Sequence, residues 1–120
     1  MIDLFRIDGD QLVLRGGRSA SSGLYHFPLS DVCPYTGADD VEPVDLPPSG
    51  RLWLWTSVTS APPGYTGPVP YGFGIVELDG VGLRVVGRLT EADPNKLDAG
   101  RSMRLVADEF DGVTTWAFAP

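Results

Sequence analysis

At 120 residues the chain has room for one compact domain, and its single cysteine, Cys33, allows no internal disulfide, a composition that suits a reducing compartment. Sixteen acidic against nine basic side chains leave a formal charge of −7, the wrong sign for a protein whose partner is the phosphate backbone of a nucleic acid. The opening Met-Ile-Asp-Leu-Phe-Arg lacks the basic start and apolar stretch of a secretion signal, and no window approaches the roughly 18 apolar residues of a membrane span. A cytoplasmic protein with neither nucleic acid nor membrane as partner is the expectation.

Residues 4–14 hold two apolar clusters around Asp8-Gly9-Asp10, a turn signal that predicts a small hairpin. Glycine and serine dominate residues 15–23, followed by Leu24-Tyr25-His26-Phe27-Pro28 and the turn-like Asp31-Val32-Cys33-Pro34-Tyr35-Thr36-Gly37, with no helical period anywhere. Acidic residues with Pro43, Pro47 and Pro48 make residues 38–49 read as a linker or a strand-poor connection. The division between an N-terminal subregion, 1–49, and a second, 50–120, is placed there.

Residues 51–59, Arg-Leu-Trp-Leu-Trp-Thr-Ser-Val-Thr, have the aromatic and β-branched content of a strand, with Leu52 and Leu54 expected on one face and Trp53 and Trp55 on the other. A loop of prolines and glycines leads to a second strand, 71–78, where Tyr71, Phe73, Ile75 and Glu77 alternate with Gly72, Gly74 and Val76. The bare glycine face lets another backbone or a flat ligand approach, and equally permits the tight coiling of a small barrel. Gly80 and Gly82 mark the turn into a third strand, in which Leu83, Val85 and Leu89 alternate with Arg84, Val86 and Arg88. Asp93 as cap, Pro94 at the first helical position and Gly100 as stop predict at most one helical turn. Met103, Leu105 and Ala107 define a fourth strand, the run Asp108-Glu109-Phe110-Asp111-Gly112 a turn, and residues 113–118 a fifth. The pattern is all-β: a five-stranded OB-type Greek-key barrel with a short helical turn between its third and fourth strands.

The sequence contains no Gly-x-Ser-x-Gly elbow, no phosphate-cradling Gly-x-x-x-x-Gly-Lys loop and no His-Glu-x-x-His pair. Its only histidine, His26, sits among Tyr25, Phe27 and Pro28 and reads as a surface or hydrogen-bonded structural residue. The carboxylate clusters Asp39-Asp40, Glu91 with Asp93, and Asp108-Glu109 with Asp111 fall in predicted turns, where such groups cap amides or face water. Glu77, in an apolar strand, is expected to pair across strands with Arg84 or Arg88. The aromatic set Trp53, Trp55, Tyr65, Tyr71, Phe73 and Trp116 supplies core. Part of it, with Gly67-Pro68-Val69-Pro70, is a candidate pocket or partner face, whose residues are Tyr65, Pro68, Pro70, Tyr71 and Phe73.

Trp53-Leu-Trp55-Thr, Pro62-Pro63-Gly64-Tyr65-Thr-Gly67-Pro68-Val-Pro70-Tyr71, Ile75-Val-Glu77-Leu, Gly87-Arg88-Leu, Leu97-Asp-Ala-Gly100 and Asp111-Gly-Val, in this order, resemble the OB-fold domain of the acyl-CoA-associated family. The resemblance spans about residues 18 to 120. It implies a rubredoxin-like zinc ribbon ahead of the barrel, whose Cys-x-x-Cys-Gly pairs correspond to Ser19-Ala-Ser-Ser22-Gly23 and Cys33-Pro-Tyr-Thr36-Gly37. Only one of the four ligand positions keeps a thiol, and neutral hydroxyls do not replace thiolates at zinc, so a metal-free ribbon remnant is expected, with Cys33 as a small buried hydrophobe. Family members usually begin with a partner-docking helix, for which residues 1–14 are too short and too strand-like.

The resemblance further implies a non-catalytic accessory or binding subunit that engages an acyl-CoA thioester, a thiolase-like, aldolase or enoyl-CoA hydratase partner, or both. Arg51, Arg84 and Arg88 are then the candidates for CoA phosphates, through charge-assisted hydrogen bonds. The alternatives are a stand-alone hydratase-like enzyme with Glu77 or a turn carboxylate as base, and a purely structural protein-interaction OB domain.

Overall fold

The computed structural model describes residues 4–65, 67–110 and 112–120. Thr66 and Asp111, which belong to the proline-rich motif and the last predicted turn, lie outside the described residues. Strands β1 (Phe5–Asp8), β2 (Gln11–Ser19), β3 (Tyr25–His26) and β4 (Val41–Asp45) form a four-stranded sheet. Strands β5 (Ser49–Val58), β6 (Tyr71–Leu78), β7 (Arg84–Leu89), β8 (Ser102–Phe110) and β9 (Val113–Ala119) form a closed barrel, and a 3₁₀ turn, η1 (Pro94–Lys96), connects β7 to β8.

The predicted hairpin is β1–β2, with Asp8 opposite Gln11 and Gly9, at φ 59°, in the turn between them. One expectation for the N-terminal third needs correction, and one stretch left unassigned gains a structure. Residues 15–19, rich in glycine and serine, form the second half of β2, and residues 41–45 are not linker but β4, which pairs with it from Arg15↔Asp45 to Ser19↔Val41. Glycine is needed at positions 16 and 17 because the space beside them is taken. A Cβ on Gly16 would lie 2.6 Å from the His26 carbonyl, and one on Gly17 would lie 2.5 Å from the His26 ring. Pro43 is tolerated because β4 has β2 as its one strand partner and so forms a sheet edge. His26 is not at the surface: it is 2% exposed, and its Nε2 accepts the Ser30 N–H at 3.2 Å.

The barrel order is β5-β6-β7-β9-β8, antiparallel except for β7–β9, where Arg88↔Ala117 and Leu89↔Phe118 pair in parallel. This is the expected five-stranded closure with its helical turn between the third and fourth barrel strands. Asp93 caps η1 by accepting the Asn95 N–H at 3.0 Å, Pro94 follows, and Gly100 takes φ 80°. The glycine face of β6 points inward and is covered by backbone. A Cβ on Gly74 would stand 2.5 Å from the Leu54 carbonyl oxygen, and one on Gly72 would stand 2.9 Å from Leu89 Cβ and run into the Glu91 carbonyl. The bare face expected to let another backbone approach does so, within the tight coiling of a small barrel.

The strict alternation expected along β5 breaks. A β-bulge between Leu52 and Leu54 shifts the pairing with β6, so Leu52 is buried while Trp53 and Leu54 are both outside, 47% and 57% exposed, and Trp55 packs against the core. The last predicted turn is also shorter than expected: β8 continues through Asp108 and Glu109, which pair with Thr115 and Thr114.

One hydrophobic core joins the two sheets. Leu12 and Leu14 from the N-terminal sheet and Leu46, just past β4, pack in the same cluster as Leu52, Val76, Leu78, Met103 and Phe118 from the barrel. Trp116 on β9 adds a second tie, since Phe5 and Phe27 both meet its ring edge-on, at 6.4 Å and 5.5 Å between centroids.

Candidate binding surface

With inward positions filled, the chemistry-bearing residues of the barrel lie on its outer wall, mainly across β5, β6 and β7. Strand register sets them in three rows: Arg51, Glu77 and Arg84; then Leu54, Ile75 and Val86; then Thr56, Phe73 and Arg88. The middle row is apolar and open, with Leu54 57% and Val86 46% exposed, and Trp53 and Phe73 flank it, also exposed. An apolar band of this width on a half-exposed β-wall has no core to cover on its outer side.

The first row is an electrostatic cluster. The Arg84 guanidinium sits 3.8 Å above the Trp53 ring and its Nε lies 3.5 Å from Glu77 Oε2, so the predicted Glu77–Arg84 cross-strand pair is present. Arg51 donates to the Gly100 carbonyl at 3.3 Å. Beside this row is an open groove of about 690 Å³ whose lining includes Arg51, Trp53, Glu77, Asp79, Gly80 and Gly100.

The third row leads into the proline-rich loop. Arg88 bonds Asp108 at 2.7 Å and lies 5.6 Å from the Tyr71 ring centroid. Tyr71 meets Tyr65 edge-on at 5.4 Å, and the Tyr65 hydroxyl donates to the Pro68 carbonyl at 2.6 Å. Pro70 follows a cis peptide bond at the entry to β6. The residues singled out from the sequence thus gather in two groups, Arg51 with Arg84, and Tyr65, Pro68, Pro70, Tyr71, Phe73 with Arg88, at opposite ends of the apolar row. Sequence reasoning missed Leu54 and Val86 as members. Leu54 was assigned to the Leu52 face, and only the bulge moves it outside.

Glu77 is engaged by Arg84, while His26 and Cys33 lie away from this wall in the N-terminal sheet and its turns. Among the described residues no group of three or more His, Cys, Asp and Glu is placed to hold a metal ion. No helix among the described residues is long and apolar enough to cross a membrane.

The closed barrel agrees with the sequence relationships of the chain. A family described as "ChsH2, C-terminal OB-fold domain" matches residues 43–108, from within β4 into β8. The chain belongs to this OB-fold family. It is 29% identical over 98 residues to a "DUF35 domain-containing scaffold protein" of Pyrococcus furiosus, covering 79% of this chain and 71% of that one. It is 26% identical over 115 residues to a protein of the same description in Methanocaldococcus jannaschii, covering 91% and 81%. Among solved structures it is similar to a chain of the "Ltp2-ChsH2(DUF35) aldolase", with a TM-score of 0.73 and 27% identity over 90% of this chain and 84% of that one.

Proposed function

We propose that the protein is a non-catalytic accessory subunit that docks a partner enzyme of aldolase type against the outer wall of β5, β6 and β7. The observation that carries this reading is the exposed row Leu54–Ile75–Val86 with Trp53 and Phe73 beside it. Its support is the naming of the relatives as scaffold proteins and of the structural neighbour as the "Ltp2-ChsH2(DUF35) aldolase". An acyl-CoA thioester is the ligand class that suits the groove lined by Arg51, Trp53 and Leu54, where a guanidinium stands next to apolar wall. Thiolase-like and hydratase-like enzymes are the further partner classes of the same reading.

The test is co-purification with an aldolase-type or thiolase-like partner, comparing the wild type with Leu54→Asp and Val86→Asp. Both side chains are about half exposed, so the expected result is loss of the complex with unfolding stability held within about 0.5 kcal/mol. A complex that forms equally well with both variants overturns the docking wall. Calorimetry with a panel of acyl-CoA thioesters checks the ligand, with Arg51→Ala expected to weaken binding. Turnover of an enoyl-CoA by the isolated chain, abolished in Glu77→Gln, would replace the accessory reading with a stand-alone hydratase-like enzyme.

A further inference from the structure

Two turns in the N-terminal third have the same conformation. In each, a glycine at positive φ, Gly23 at 74° and Gly37 at 76°, donates its N–H at 2.8 Å to the carbonyl four residues earlier, that of Ser19 or Cys33. The residues that open the turns are fully inward, Ser19 0% and Cys33 1% exposed. Paired turns with donors at their first and fourth positions are a frame for a four-ligand zinc site. Here those positions are Ser19, Ser22, Cys33 and Thr36, and the hydroxyls are already engaged. Ser19 Oγ donates to Asp40 Oδ1 at 2.6 Å, Ser22 Oγ accepts the Leu24 N–H at 3.2 Å, and Thr36 Oγ1 accepts the Ala38 N–H at 3.3 Å. One thiol and three occupied hydroxyls do not fit zinc.

We propose that Asp40 takes the place a metal would hold, its carboxylate bridging the first turn to the strand that leaves the second. Its two oxygens are separately engaged, Oδ1 by the Ser19 hydroxyl and Oδ2 by the Ser21 N–H at 2.7 Å. Backbone bonds complete the seam: Ala20 N–H to the Asp40 carbonyl at 3.3 Å and Cys33 N–H to the Ala38 carbonyl at 2.8 Å. Charge-assisted bonds of this length are about twice as strong as neutral ones, which suits a carboxylate to a clamping role. Cys33 is buried, with its N–H in the seam and its thiol beside the Thr36 and Ser19 hydroxyls, and serves as the reporter. This inference stands apart from the docking wall and holds whatever the partner is.

The experiment uses the full chain purified from zinc-supplemented medium and reads metal content, thermal unfolding with and without a chelator, and the rate at which Cys33 reacts with a thiol reagent. The expected result is substoichiometric zinc, no effect of the chelator on either readout, and Cys33 labelling accelerated about tenfold or more in Asp40→Ala, the change in opening equilibrium given by about 1.4 kcal/mol. Asp39→Ala, at the neighbouring carboxylate, leaves the rate unchanged. If Asp40→Ala fails to fold, Asp40→Asn and Ser19→Ala carry the comparison, each with faster labelling than the wild type. Stoichiometric zinc whose removal unprotects Cys33, or wild-type labelling rates in the Asp40 and Ser19 variants, would overturn the proposal.

Discussion

Arg84 stacks its guanidinium on the Trp53 ring at 3.8 Å, on the outer wall where Trp53, next to the inward Leu52, is 47% exposed. The same side chain meets Glu77 at 3.5 Å, with 51% and 39% of the two side chains exposed. At such exposure the ion pair contributes about 0–1 kcal/mol and the stack about 0.5–1 kcal/mol. Arg84→Lys, which keeps the charge but loses the planar stacking surface, is expected to cost about 0.5–1 kcal/mol in urea denaturation and to change the emission of Trp53. Glu77→Gln should cost less than Arg84→Lys. A reversed order would assign the cluster's stability to the ion pair.

Gly74→Ala is expected to destabilise the protein by about 1–3 kcal/mol, because the added methyl meets the Leu54 carbonyl, a backbone atom that no rotamer change can move aside. Gly72→Ala faces the Glu91 carbonyl and Leu89 Cβ and should behave alike. Gly64→Ala is the comparison: nothing lies within 4 Å of its Cβ position, and its cost comes only from φ 82°. Denaturant midpoints of the three variants measure the difference.

Trp116 joins the sheets through Phe5 and Phe27 and donates its indole N–H to the Val86 carbonyl at 3.0 Å. Phe27→Ala should cost about 2 kcal/mol, below the full value for a completely buried ring because Phe27 is only partly covered. Trp116→Phe should cost about 1 kcal/mol, mainly the lost hydrogen bond. Since the core is continuous, thermal unfolding of both variants is expected to remain a single transition. Two resolved transitions would mean that the sheets unfold separately.

Two carboxylates of the N-terminal sheet and its turns titrate below their usual range: Asp40 through hydrogen bonds from Ser19 and then Ser21, and Asp45 through its hydrogen bonds from Arg6. Both are depressed in the folded state, so their stabilisation is complete above the ordinary carboxylate range and is lost as pH falls through it toward the folded values. The melting temperature should therefore change little between about pH 8 and 5 and drop below about pH 4. The drop should be shallower in Asp40→Asn and Asp45→Asn. Circular dichroism melts across this range provide the check.

Much of the barrel was legible because its strands obey period two and its punctuation is unambiguous. Gly72, Gly74 and Val76 alternate against Phe73, Ile75 and Glu77 as read, and Asp93-Pro94 opens the short turn as read. The Glu77–Arg84 pair followed from the same alternation. What escaped depends on distant partners. β2 continues as a strand through Gly16 and Gly17 because it pairs there with β3 and β4, whose residues leave no room for a side chain, and β4 tolerates Pro43 because it lies on an edge. The bulge at Leu52/Leu54 adds one residue to one strand, which a period counted along a single strand cannot register, and with it went the outward placing of Leu54.

On β6 the two glycines are already at the smallest size an amino acid can have, and the walls they touch include main chain. No exchange at these two positions can make room for a guest, and none can enlarge them without moving a neighbouring strand. Along this strand, variation in what the protein recognises is left to the outward letters, Phe73, Ile75 and Glu77.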